Sequence, residues 1–230
     1  MAVKKVSYIA ALAMAFLVSR SAYAQVTVRI YNAASVPYKT LDDAEQQAGY
    51  IFRAAGVPIG VVNCAAADSG KSVEKICPLT LAPDDLVVRL IPRGKSSSET
   101  FGMAFLPAEG QGRYADVFYG PVLDLRQSFS GRVPLDEGRL LGHLIAHEVG
   151  HLLLGSNSHS SGGIMAARWH TFELASLAAG KLLFTPEQSQ KLRAGAQVRV
   201  AGAQKSQSPT PGSYPRSFAL SQMRYVPEMK

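Results

Sequence analysis

The run from His147 to His151, HEVGH, places two histidines four residues apart, with a glutamate directly after the first. On a helix, positions i and i+4 share one face a turn apart, so both imidazoles can converge on one point. Imidazole is a ready ligand for zinc, and a catalytic zinc takes three protein ligands while keeping a fourth position open to water. Glu148 emerges beside that point without being forced to bind. There it can take a proton from a water whose pKa the metal lowers to about 7. The chain holds only five histidines, and His147, His151 and His159 fall within thirteen residues. An accidental H-E-x-x-H is expected in roughly one chain of this length in a hundred. The competing reading is an amphipathic helix whose histidines are merely packed or solvated.

Spacing alone leaves the third ligand open. His159 stands beyond Gly155 in GSNSH, while Glu173, 22 residues past His151, and His170 are rivals. His143 extends the same helical face one turn back, but a third ligand on one straight helix stands too far from the ion.

The stretch HEVGHLLLGSNSHSSGGIM resembles the zinc signature of the metzincin metallopeptidases, H-E-x-x-H-x-x-G-x-x-H followed by a methionine in a tight turn. The resemblance implies His147, His151 and His159 as zinc ligands and Glu148 as general base. It also implies Gly155 as the break in the helix and Met165 as the turn methionine beneath the metal. The sequence departs from that pattern twice. Gly155 follows His151 by four residues rather than three, and His159 follows the glycine by four. One extra helical residue rotates the exit direction by about 100°, which the small, polar Ser156-Asn157-Ser158 must absorb. H-E-x-x-H is similar to the gluzincin peptidases as well, where a glutamate on a later helix completes the site, and that likeness implies Glu173. Met165 reads equally as a core methionine.

These residues need elements to hold them. VTVRIYNA, PIGVVNC and DDLVVRLIPR have the β-branched character of strands. Between the first two, Leu41, Ala44, Ala48, Ile51, Phe52 and Ala55 recur at helical spacing, with acids in the first turn and Gly56 as a stop. Two further strands are predicted over Phe101–Leu106 and Tyr114–Tyr119, joined by a Gly-rich turn. A strand along the metal cleft could take an extended substrate as an added strand. Phe101–Leu106 fits that place, or else an inner one. The long helix runs from about Asp136 to Leu154, and TFELASLAAGKLL forms another. TPEQSQKLRAG is a capped final helix with Thr185 as N-cap, Pro186 at N1 and Gln188 closing the capping box. The expected fold class is α/β (α+β): a metzincin-like mixed twisted sheet with a long active-site helix and a C-terminal helix. Trp169 packs near the site or in the core, and Asp124 or Asp116 is a candidate to orient a ligand histidine.

The first 24 residues have the parts of a secretory signal peptide: Lys4 and Lys5, the apolar run Val6 to Val18, and a small-x-small cleavage site at Ala22-Tyr23-Ala24. A retained anchor is the competing reading, and the cleavage site argues against it. The chain then divides into 1–24 as signal peptide, 25–202 as a zinc metallopeptidase-like catalytic domain, and 203–230 as an irregular tail rich in Ser, Pro, Gly and Gln. Losing Lys4, Lys5 and Arg20 takes 24 basic side chains to 21 against 17 acids, so the net charge falls from +7 to +4. That mild excess, without a basic block interleaved with aromatics, points away from nucleic acid. After signal cleavage no stable membrane insertion is expected. Cys64 and Cys77 read as a disulfide in an oxidising compartment.

The expected function is that of a secreted or periplasmic zinc peptidase. It would hydrolyse peptide or protein substrates by a zinc-activated water with Glu148 as general base. Two alternatives stand beside it: an exported zinc-binding or adhesion module without turnover, and a zinc amidase acting on cell-wall peptides. No Ser-His-Asp order, phosphate loop or dinucleotide fingerprint is present, and nothing in the sequence sets an oligomeric state.

Overall fold

The computed structural model describes residues 25–64, 77, 80–93, 100–108, 112–129, 131 and 134–207. The segment 1–24 expected to be a signal peptide, most of the cysteine loop and the chain beyond 207 lie outside the described residues. The elements are β1 (Thr27–Asn32), α1 (Tyr38–Ala54), β2 (Gly60–Asn63), β3 (Asp85–Ile91), β4 (Gly102–Phe105), β5 (Tyr114–Phe118), α2 (Tyr119–Ser128), α3 (Glu137–Leu154), α4 (Thr171–Ala178) and α5 (Pro186–Gln207).

The strands form one mixed sheet in the order β2-β1-β3-β5-β4. β2, β1, β3 and β5 run parallel, and β4 turns back antiparallel on β5 with Gly102 opposite Val117 and Met103 opposite Asp116. β4 is therefore an edge strand, which decides between the two places the sequence left for it. Successive strand residues face opposite sides. Val28, Ile30, Leu86, Val88, Leu90, Ala104, Ala115 and Val117 join one core with α1 and α3. The alternate positions carry ion pairs: Arg29 with Asp85 at 2.5 Å, and Arg89 with Asp116 through two bonds of 2.7 Å.

α1 buries Leu41, Ala44, Ala48, Ile51 and Phe52, the face its spacing predicts. It begins at Tyr38, so Asp42 and Asp43 fall in its second turn, and its first turn holds no acid. The chain from Tyr119 corrects the sequence reading more substantially. The strand predicted over Tyr114–Tyr119 ends at Phe118, and Tyr119–Ser128, where the sequence reading has no element, is a helix that carries Gly120 and Pro121 in its first turn. Proline is tolerated in a first turn because the N–H it lacks has no intrahelical partner there.

α3 runs through the middle of the molecule. Asp136 caps it by accepting the Arg139 N–H at 2.7 Å, and residues Leu140 to Leu153 are all buried. It is covered by α1, the sheet, α4 and α5, which explains why its apolar pattern is less one-sided than that of a surface helix. α5 starts at the predicted capping box: Thr185 N–H donates to Gln188 Oε1 at 2.9 Å, and Gln188 N–H to Thr185 Oγ1 at 3.3 Å. It continues to Gln207, beyond the Gly195 that closes the predicted segment and into residues read as irregular. Cys64 and Cys77 are joined by the expected disulfide, with Cα atoms 5.7 Å apart. Among the described residues no helix is long and apolar enough to cross a membrane.

Candidate metal centre

The two helix-borne histidines are nearly sealed from solvent, His147 at 8% and His151 at 4% exposure. Their Nε2 atoms lie 3.1 Å apart. α3 ends at Leu154, and Gly155 takes a left-handed conformation (φ 62°, ψ 28°) that a side chain would strain. That reversal brings the exposed His159 back over the helix. Its ring centroid lies 5.4 Å from that of His147 and 4.9 Å from that of His151. One ligand atom from each of the three histidines falls within 4.8 Å of the others, a group able to hold a metal ion.

The outer ring nitrogens settle the tautomers. His147 Nδ1 is 2.7 Å from the Ile164 carbonyl, and His151 Nδ1 is 2.7 Å from the Ser156 carbonyl. A carbonyl only accepts, so each Nδ1 donates its proton, and in a neutral ring Nε2 is left as a bare acceptor. Two bare acceptors facing each other at 3.1 Å repel unless a cation lies against both. Burial, reinforced by His151 and His159, lowers His147 to about 4 despite the Ile164 bond. Burial lowers His151 too. The rings are thus held neutral near pH 7, the form that binds metal.

Glu148 follows the first of these histidines and points elsewhere on the helix. It is 5% exposed, and burial together with Asp116 pushes its carboxyl up to about 8. An imidazole pushed down and a carboxyl pushed up on adjacent residues is an arrangement typical of acid–base sites. Glu148, His147 and His159 open into a cleft of about 580 Å³, walled by Phe101, by Gly102 of β4, by Leu125 of α2 and by Trp169.

Met165 lies in a tight turn closed by the Ala166 N–H on the Gly163 carbonyl at 3.1 Å. It is 1% exposed and packs where α3 carries Gly150, midway between the Glu148 and Leu152 positions. A Cβ on Gly150 would come within 2.7 Å of Met165 Sδ. The same turn presents the Ile164 carbonyl to His147.

The rivals stand apart from this cluster. Glu173 Oε2 accepts the His170 N–H at 3.0 Å, capping α4, and His170 is an exposed residue at the cleft mouth. His143 is fully buried one turn back, with Nδ1 2.8 Å from the Arg139 carbonyl and its ring edge-on to Trp169. Trp169 also lies edge-on to His147, and its Nε1–H donates to the Ile164 carbonyl at 3.2 Å. The expected carboxylate partners of the ligand rings need correction. Asp116 is engaged by Arg89, and Asp124 by Arg93 at 2.8 Å. Backbone carbonyls orient the histidines instead, and a backbone acceptor leaves no signature in residue types.

No protein-family model matches this sequence, and none of the curated proteins does. Among solved structures, the chain is similar to a zinc-dependent peptidase from Methanocorpusculum labreanum, with 15% identity over 72% of this chain and 99% of that one, at a TM-score of 0.46. It is also similar to archaemetzincin from Methanopyrus kandleri, with 16% identity over 79% of this chain and 99% of that one, at a TM-score of 0.48.

Proposed function

We propose that the protein is an exported, metzincin-like zinc peptidase in which His147, His151 and His159 hold the metal and Glu148 is the general base. The single observation that carries this reading is the pair of bare Nε2 atoms at 3.1 Å, each fixed by an Nδ1–H bond to a carbonyl, with His159 closing over them. Three imidazoles suit zinc and would leave a coordination position open.

When bound there, zinc supplies Lewis acidity toward a carbonyl and lowers the pKa of water at its open position to about 7. Glu148 then takes the proton of the attacking water and delivers it to the leaving amine. Its carboxyl opens into the same cleft as His147 and His159, where an attacking water would lie. The strand β4, at the edge of the sheet among the described residues, borders the same cleft, where an extended peptide could add as a further strand. Export rests on the signal-like residues 1–24 and is compatible with the Cys64–Cys77 disulfide.

The test is digestion of a peptide library by the zinc-loaded chain, with and without chelator, beside Glu148→Ala. The variant is expected to retain one zinc by metal analysis and to lose at least about a hundredfold in cleavage. Equal cleavage by variant and parent would remove Glu148 from the mechanism. A zinc-bound parent that cuts no peptide would leave the non-catalytic zinc module standing.

A further inference from the structure

β4 passes the Glu148 carboxylate at the one residue of the strand that has no side chain. A Cβ on Gly102 would lie 2.7 Å from both Cγ and Cδ of Glu148, and nearer still to Oε1. Carbon atoms do not approach that closely, so one of the two side chains has to yield. The backbone does not itself demand glycine there, since Gly102 is not among the positive-φ positions. By strand alternation Gly102 faces the same way as Ala104, which is buried in the core beneath α3. Glycine inside a strand weakens it, and its usual justification is the close approach of another group. Here the approaching group is the glutamate.

We infer that Gly102 is a positioning residue for hydrolysis: the space its side chain would fill is where Glu148 holds its carboxylate against the edge strand. The inference rests on the proposed role of Glu148 as general base. Because Cγ is obstructed as well as Oε1, rotating the carboxylate about its last bond gives no relief. Nor does rotation about Cβ–Cγ, which leaves Cγ in place, so a side chain at 102 must swing Glu148 about χ1 and carry the carboxylate away from β4. The three atoms nearest to a Cβ at position 102 all belong to Glu148 and none to His147, His151 or His159, so the substitution is expected to leave metal binding in place.

The experiment compares parent, Gly102→Ala, Glu148→Ala and the double variant, each as the full zinc-loaded chain. Three quantities are read: zinc stoichiometry, kcat and KM on a peptide the parent cleaves, and Tm. Gly102→Ala is expected to keep one zinc, to lose at least tenfold in kcat with KM within about threefold, and to lower Tm. In the Glu148→Ala background the same substitution is expected to leave Tm unchanged or raise it, because the obstructing atoms are gone. Parental kcat and Tm in Gly102→Ala would overturn the inference, as would an equal fall in Tm with and without Glu148. A parent that binds zinc but cleaves nothing defeats the peptidase reading instead. The Tm comparison still decides the contact in that case: a loss confined to the Glu148 background upholds it, and a loss common to both refutes it.

Discussion

Two glycines of α5 should respond to the same substitution with opposite signs. Replacing a helix-interior glycine by alanine ordinarily stabilises by about 0.5–1 kcal/mol, because alanine loses less backbone freedom on folding. Gly202 is exposed, and an added Cβ would meet nothing within 4 Å. Gly202→Ala should therefore gain that amount, raising Tm by about 1–4 °C at roughly 2–4 °C per kcal/mol for a domain of this size. At Gly195 the added Cβ would lie 3.0 Å from the Leu153 carbonyl carbon and closer still to its oxygen. The obstacle is the last turn of α3, two residues past His151, which cannot swing aside as a side-chain tip can. Nor can α5 slide along it, since Arg199 donates to the Leu152 carbonyl at 2.9 Å. Overpacking costs about 1–3 kcal/mol, and rigid backbone puts this site at the upper end. Less the propensity gain, Gly195→Ala should lose about 2 kcal/mol and melt about 4–8 °C lower. Thermal melts followed by circular dichroism at fixed pH and zinc would measure both variants. If Gly195→Ala melts at or above the parent, the close crossing of α5 over α3 is not there and the argument fails.

Zinc at a hundredfold excess over its Kd should stabilise the chain by about 2.7 kcal/mol, a rise in Tm of about 5–10 °C. His159→Ala should lose most of that rise, whereas Glu173→Gln should keep it. The opposite pattern, read by calorimetry, would move the third ligand to α4. Glu45 gives a pH signature remote from the metal. Burial, then Asp42, pushes its carboxyl from 4.5 up to about 7, in a hollow also bordered by Asp43, Arg53, Asp136 and Arg139. A raised carboxyl favours the folded state while protonated, so its contribution is fully present below 4.5 and lost as the pH rises through 7. The advantage of Glu45→Gln over the parent should therefore grow between pH 4.5 and 8 in thermal melts, and a constant difference would refute it.

Legibility in the sequence followed whether a feature is written in side chains. The buried face of α1, the Asp136 start and Gly155 end of α3, and the Thr185–Gln188 box all depend on residue type, and the structure shows them where the spacing predicts. α2 was hidden because Gly120 and Pro121 signal a break in isolation, while in the chain they fall in a first helical turn. Gly195 misled in the same way. Taken locally it ends a helix, but in the fold it is the point where α5 lies against Leu153, a contact between residues 42 positions apart in the sequence. The edge position of β4 depends on sheet order, which no single strand encodes.

The irregular spacing between His151 and His159 raised the question of how a lengthened loop could still close a metal site. The carbonyl bonds supply an answer. Extending α3 to Leu154 and reversing at Gly155 leaves Ser156 with its N–H on the His151 carbonyl at 3.3 Å and its own carbonyl on His151 Nδ1 at 2.7 Å. The first residue of the loop thus fixes the tautomer of the second histidine before the chain goes on to deliver His159. The turn at Gly163–Ala166 does the equivalent for His147, through the Ile164 carbonyl held between His147 and Trp169. Ser160 ties the two ends together: its N–H donates to the Met165 carbonyl at 2.9 Å, and its Oγ accepts from Gln188 Nε2 at 2.8 Å. In the proposed site the loop would therefore carry more than a ligand. It holds both carbonyls that bind Nδ1 of the two helical histidines, so its path, rather than the count of residues in it, is what the proposed chemistry constrains.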